Sequence, residues 1–421
     1  MSEPEPHYSF TIPSIADDLP LQCRVYHPSD LGSRVRSTEH NTSLIWGAII
    51  AHPYAPLGGS FDDNVVLAVT ETLLSQGYVV GTFNFRGAAG SEGRTTWSGR
   101  PEQDDYTSFA GFLIHYLDAL KTITRPNQLQ PIRTQVEIDN TATSIALTGP
   151  LGLVLGGYSY GSLILARLPP VESIVQRFAC AAIGTAAAEI LLRAKTLAQQ
   201  TKTTIEEAQS PSSPRGRQLK PDDAATSPSK RMGASPITVG GEETDPSTRR
   251  RSRDSRRSTD IVRKSIEAPR RIRAHVKGAS VSMKTVVQAE KTYSASTTPT
   301  SLGKPNIITR YLIISPVLLP LTQMLCPPGA PSMFFAFRKS TEADRHAGDC
   351  FLDTPTLALF GSSDVFTASR RLKAWARKFS SASKSSFSWE EIAGAGHFWH
   401  EPGVMRELQK KIETWFMAVD E

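Results

Sequence analysis

One pentapeptide constrains this chain more than any other stretch: Gly157-Tyr158-Ser159-Tyr160-Gly161. A charge-free apolar run, Leu151-Gly152-Leu153-Val154-Leu155-Gly156, leads into it, and Ser162-Leu163-Ile164-Leu165-Ala166-Arg167-Leu168 leads away. A buried strand, then G-x-S-x-G, then a helix is the nucleophile-elbow pattern, in which the serine occupies a tight, strained turn. Glycine at the flanking positions removes side chains that would clash with the strand before and the helix after. The hydroxyl is pushed out at the carboxyl edge of the sheet. The amide of Tyr160 points into the same space, where it can stabilise an oxyanion. A serine that merely caps a helix fits the pentapeptide too, so the rest of the chain has to decide.

The surrounding sequence reads as alternating strands and helices. Residues 8–12 and 21–26 form a pair of edge strands, 29–43 a polar loop, and 44–51 a buried strand ending in His52-Pro53-Tyr54. A helix follows over 62–76, stopping at Gly77, then a strand over 78–84 and the loop Phe85-Arg86-Gly87 to Gly93. A helix over 103–120 carries Asp104 and Asp105 in its first turn, where the helix dipole favours acids. After the elbow, a helix is expected over 179–199. Strands follow at 310–315, 356–360 and 387–392, with helices at 369–379 and 403–419. Strand–helix alternation implies an α/β fold with a mostly parallel central sheet and helices on both faces. Ligand chemistry in such sheets sits at the carboxyl ends of the strands, where the conspicuous loops fall.

Between residues 199 and 305 the composition changes to Ser, Thr, Pro, Arg and Lys, with the run Arg249-Arg250-Arg251-Ser252-Arg253-Asp254-Ser255-Arg256-Arg257-Ser258. Residues 201–300 hold 20 Lys+Arg against 11 Asp+Glu, whereas the rest of the chain holds 27 against 30. The overall charge of +6 therefore belongs to this segment and not to the folded body. It has too little apolar surface to offset ordering entropy, so the expectation is a disordered basic insertion at 199–305, splitting one domain into 1–198 and 306–421. The insertion has no identified partner. Its basic run is suited to nuclear addressing, to nucleic acid or acidic lipid, or to phosphorylation at Arg-x-x-Ser. No nucleic-acid-binding signature marks the folded part, and none is expected to bind there.

Cys23, Cys180, Cys326 and Cys350 are widely spaced with no C-x-x-C pair, which favours a reducing, cytoplasmic setting over a disulfide framework or zinc site. The acidic N-terminus has no apolar core of a signal peptide. The uncharged stretch between Asp139 and Arg167 is broken by Pro150 and several glycines, which argues for a buried strand and turn over a membrane span. No cofactor or metal is expected.

An activated serine needs a base, and the base an orienting acid, in the chain order Ser…Asp/Glu…His. Asp364 follows the strand at 356–360 in Gly361-Ser362-Ser363-Asp364, and His397 follows the last strand in Gly394-Ala395-Gly396-His397-Phe398-Trp399-His400. His400 is a weaker competitor for the base. A second oxyanion donor is expected after the strand at 44–51; Pro53 has no amide hydrogen, so Tyr54 is the first residue after His52 able to donate. His52 itself fits a role in shaping that loop.

These pieces together resemble the serine α/β-hydrolase superfamily, and within it the compact X-prolyl-peptidase-like and dienelactone-hydrolase-like group. The resemblance rests on the stretch from Ala51 to Asn64, Phe83-Asn84-Phe85-Arg86-Gly87 with Gly90-Ser91-Glu92-Gly93, Asp104-Asp105, and the motifs around Ser159, Asp364 and His397. It implies Ser159 as nucleophile, His397 as base, Asp364 as orienting acid, and backbone oxyanion donors at Tyr160 and Tyr54. It also implies a structural role for Arg86. The expected function is hydrolysis of a small-molecule carboxylic ester or thioester. Two alternatives stay open: a small-peptide or amide hydrolase, and a catalytically silent interaction protein working through its basic insertion. Tyr158, Tyr160, Phe366, Phe398 and Trp399 are candidate pocket walls, and residues 316–353 a candidate apolar cap.

Overall fold

In the computed structural model, the residues described are 3–39, 44–96, 98–121, 147–208, 306–318 and 348–420. They belong to one compact unit. Its centre is an eight-stranded sheet: β1 (Tyr8–Pro13), β2 (Pro20–Tyr26), β3 (Trp46–Ala51), β4 (Val79–Phe83), β5 (Leu151–Tyr158), β6 (Ile307–Ile314), β7 (Thr356–Gly361) and β8 (Phe387–Ile392). The spatial order is β1-β2-β4-β3-β5-β6-β7-β8. The hairpin β1–β2 and the β2–β4 pairing are antiparallel, and every other neighbouring pair is parallel.

Side-chain alternation assigns each strand two faces. Leu153 and Leu155 of β5, Ile313 of β6 and Phe360 of β7 enter one core, whereas Val154, Tyr158, Ile314 and Leu359 enter the other. Both faces are apolar, so these central strands read as near-continuous hydrophobic runs. Helices α2 (Asn64–Ser75) and α8 (Val404–Asp420) cover one face. The other face is covered by α1 (Leu31–Glu39), α3 (Arg100–Lys121), α4 (Tyr160–Leu165), α5 (Val171–Ala179), α6 (Ala186–Glu207) and α7 (Ser369–Ser380).

Three expectations need correction. Residues 29–43 are not simply a loop, because α1 occupies 31–39: Leu31 and Val35 are buried one turn apart, and Asp30 pairs with Arg34. Its Ser and Arg content hid a two-residue apolar stripe. Helix α5 was not expected; Val171, Ile174, Val175 and Phe178 give it a buried face beginning just after Pro170. The helix expected over 179–199 is α6, which starts at Ala186 and continues to Glu207. Residues 199–207 are thus helical and belong to the body, not to the insertion. Thr201 is the reason: it is buried, and its hydroxyl meets both Tyr116 Oη at 2.8 Å and Tyr8 Oη at 3.0 Å. The remainder of the insertion, 209–305, and residues 319–347 of the cap candidate lie outside the described residues, as does Cys326. Cys23, Cys180 and Cys350 are free thiols. Among the described residues, no helix is long and apolar enough to cross a membrane.

Candidate active site

The turn between β5 and α4 has the geometry that its sequence demands. Ser159 has φ 55° and ψ −112°, an unfavourable conformation for a residue with a side chain. Its amide donates to Ile314 O at 2.9 Å, and its carbonyl accepts from Ser162 and Leu163. The flanking glycines permit this. A Cβ on Gly157 would lie 2.6 Å from Ser162 N, and one on Gly161 would lie 2.8 Å from Ala51 C and 2.9 Å from His52 O. The elbow is therefore pressed against the end of β3 as well as against its own helix.

The structure brings Ser159, His397 and Asp364 together from loops after β5, β8 and β7. His397 Nε2 is 2.8 Å from Ser159 Oγ, and its Nδ1 is 2.7 Å from Asp364 Oδ2. All three are buried, with Ser159 6% and His397 3% exposed. Asp364 is held at both oxygens: Oδ1 accepts the amides of Phe366 at 2.8 Å and Thr367 at 2.9 Å, leaving Oδ2 for the imidazole. A carboxylate facing Nδ1 fixes the tautomer that carries hydrogen there, so Nε2 is the acceptor for the serine hydroxyl. His400 is exposed and stacks on Phe398, ring centroids 5.8 Å apart, and the imidazole bonded to Ser159 and Asp364 is that of His397.

The loop after β3 lies beside the elbow. The Tyr54 ring meets the Tyr160 ring edge-on at 5.2 Å, and the Tyr54 carbonyl accepts from Leu57 and Gly59, closing the turn. Tyr160 is the first residue of α4, so its amide has no acceptor within that helix. His52 is fully buried. Its Nε2 accepts the Phe85 amide at 2.9 Å, so Nδ1 carries the hydrogen and donates to Pro53 O at 2.6 Å. Burial lowers its pKa to about 4, keeping it neutral. His52 thus joins the loops after β3 and β4.

Arg86, 5% exposed, ties loops as its position suggested. Nε and Nη2 fork onto Asp105 at 2.9 and 2.6 Å, and Nη1 reaches Asp17 at 2.9 Å. Asp63 caps α2 through Val65 N; burial raises its carboxyl pKa, and the backbone amides of Val65 and Val66 pull the other way.

The pocket-wall reading of the aromatics needs correction. Tyr158 and Trp399 are 1% and 2% exposed and are core residues with bonded polar tips. Phe366, whose ring is 4.4 Å from the imidazole, and the exposed Phe398 remain at the site's edge. A cavity of about 320 Å³ lies beside α4, lined by Ser162, Leu163, Arg167, Val317, Phe351 and Trp375 among others. The Tyr158 hydroxyl contact was not anticipated, whereas the two amides on Asp364 follow from the Asp-x-Phe-Thr spacing.

A strand order of 1-2-4-3-5-6-7-8 with β2 antiparallel, and a serine elbow after β5, define the α/β-hydrolase fold, and this chain has it. No protein-family model and no curated protein matches the chain. Among solved structures it is similar to an alpha-beta serine hydrolase homologue from Coxiella burnetii, at 12% identity and TM-score 0.40 over 98% of this chain and 99% of that one. It is also similar to Est1E from Butyrivibrio proteoclasticus, at 9% identity and TM-score 0.43 over 97% and 98%. The esterase Pf2001 from Pyrococcus furiosus is a third, at 12% identity and TM-score 0.43 over 98% and 91%.

Proposed function

We propose that this protein is a serine hydrolase that cleaves carboxylic ester or thioester bonds through Ser159, His397 and Asp364. The observation that carries the reading is the continuous hydrogen-bonded chain from Ser159 Oγ through both imidazole nitrogens to Asp364 Oδ2, at 2.8 and 2.7 Å. Buried together, these groups have little use except proton transfer from the hydroxyl.

In this mechanism Ser159 Oγ attacks the substrate carbonyl carbon while His397 Nε2 takes its proton. Negative charge passes to the carbonyl oxygen, and the amides of Tyr160 and Tyr54 stabilise it. Asp364 stabilises the imidazolium and holds its orientation without becoming protonated. The tetrahedral intermediate collapses as His397 gives the proton to the departing alcohol or thiol. A water molecule, deprotonated by His397, then attacks the acyl-serine, and the returning proton restores Ser159. An ester is the favoured class because its leaving group needs no help beyond this one proton. The described body acts on a small molecule, and residues 209–305 are an appendage outside the chemistry.

The test is labelling of the purified protein with a fluorophosphonate, with the adduct located by mass spectrometry. The adduct is expected on Ser159 and should disappear in Ser159→Ala and His397→Ala. Folded wild-type protein that takes no label would overturn the reading. Hydrolysis of acetyl, butyryl and longer p-nitrophenyl esters then reads acyl-chain preference, and the matching p-nitroanilides separate ester from amide specificity.

A further inference from the structure

Two side chains that take no part in proton transfer hold the loop carrying His397. Tyr158 directly precedes Ser159, and its buried Oη donates to the carbonyl oxygen of His397 at 2.8 Å. Its ring lies beside the imidazole, centroids 5.8 Å apart at 32°. Trp399 lies two residues beyond His397, and its Nε1–H donates to Ser315 Oγ at 3.0 Å.

Both ends of the second bond are in unfavourable backbone conformations. Trp399 has φ 57° and Ser315 has φ 44°, and neither is glycine. Left-handed conformations in such residues persist only where the surroundings over-determine them, and they gather at functional sites. Ser315 is also well placed. It follows Ile314, whose carbonyl accepts the Ser159 amide, and its own amide donates to Leu359 of β7 at 2.8 Å. The two bonds therefore run from the histidine loop to the backbone that carries the serine, and onward to the strand that leads to Asp364.

His397 has to satisfy two directional contacts at once, with Asp364 and with Ser159, from a segment containing Gly394 and Gly396. Neither glycine supplies a side chain that could anchor the loop. Resting on the serine-hydrolase reading, we infer that Tyr158 and Trp399 are positioning residues that set the imidazole over Ser159. Tyr158 clamps the main chain of His397 itself, and Trp399 ties the following turn to Ser315. The tyrosine inside the G-x-S-x-G pentapeptide thus links the nucleophile's backbone to the base's backbone by one hydrogen bond.

The experiment uses full-length protein and the same fluorophosphonate, so it needs no identified substrate. Tyr158→Phe keeps the ring and removes only the hydroxyl; Ser315→Ala and Trp399→Phe remove opposite ends of the second bond. The second-order labelling rate of Tyr158→Phe is expected to fall about tenfold, as misplacement of a reacting group requires. The loss should lie in the maximal inactivation rate, with the probe concentration for half-maximal rate changed by less than about twofold. Ser315→Ala should slow labelling, and the double variant with Trp399→Phe should be no slower than the worse single variant. Should Trp399→Phe fail to fold, Tyr158→Phe and Ser315→Ala carry the test. Wild-type labelling rates in folded Tyr158→Phe and Ser315→Ala, even with a lowered melting temperature, would reduce both residues to core packing and overturn the inference. Failure of the hydrolase reading looks different, since the wild-type protein itself would then take no label.

Discussion

Asp105 grips Arg86 with both carboxylate oxygens, Oδ1 to Nη2 at 2.6 Å and Oδ2 to Nε at 2.9 Å, with both side chains out of solvent. Ser14 Oγ donates to Asp105 Oδ1 at 2.7 Å, so the pair also fastens the turn between the first two strands. Removing Asp105 leaves the buried Arg86 with the solvent-exposed Asp17, a weaker partner, at a cost approaching the roughly 3–5 kcal/mol of a broken buried pair. Asp105→Ala should lower the unfolding free energy in urea by that amount. Arg86→Lys should fail to restore wild-type stability, since an ammonium cannot reproduce the fork. A loss below about 1 kcal/mol, the level of exposed pairs, would contradict this account.

Gly157→Ala tests the elbow. The added methyl meets backbone atoms, including Ser162 N at 2.6 Å, and backbone cannot rotate aside as a side chain can. A destabilisation of about 3 kcal/mol or more is expected, with loss of labelling at Ser159. A folded, fully reactive alanine variant would mean that the turn is looser than its geometry.

Asp364→Asn should leave the fold nearly unchanged, because the side chain can still accept the amides of Phe366 and Thr367. Its remaining amide group would then face Nδ1 and favour the wrong imidazole tautomer. Labelling should slow by about 10³–10⁴-fold at neutral pH. A drop smaller than about tenfold would show that the carboxylate does not orient His397.

Acid should destabilise the body before its carboxylates titrate. Burial lowers His52 and His115 to about 4, and burial together with His7 lowers His27 to about 3. Each is depressed below the unfolded value of about 6.5, so the native state binds fewer protons. The stability they contribute is complete above that pH and is lost as pH falls through 6 toward 4, at up to about 1.4 kcal/mol per unit for each group. At His52 the proton would displace the Phe85 amide from Nε2. Urea midpoints measured from pH 7 to pH 4.5 should fall steadily; a flat profile would mean that these imidazoles are hydrated.

The boundary of the insertion makes a paired prediction. Replacing 209–304 with a flexible linker should leave the melting temperature and Ser159 labelling near wild type. Starting the deletion at 199 removes Thr201 and its contacts with Tyr116 and Tyr8, and should lower the melting temperature by several degrees. Equal effects of the two deletions would place the end of the folded body elsewhere.

Much of the architecture was legible in the chain because the central strands are buried on both faces and so stand out as apolar runs. The elements that escaped are those whose signal is weak in one dimension. Helix α1 has two buried anchors among polar residues, and the last turns of α6 look like the low-complexity sequence that follows them. Thr201 is polar in composition yet buried, because two tyrosines from distant segments converge on it.

The sequence by itself determined the sheet's alternation, the strained serine turn and the chain order of Ser159, Asp364 and His397. Those follow from local chemistry: glycine where a Cβ cannot fit, apolar runs where water is excluded. Tertiary structure alone decided the function of side chains whose partners lie far along the chain. Tyr158 and Trp399 read as aromatic pocket walls until the folded chain set Tyr158 Oη against a carbonyl 239 residues away. Hydrogen-bond partners at that separation are fixed by how the end of the central strand β5 meets the loop after the edge strand β8, and no local pattern encodes them.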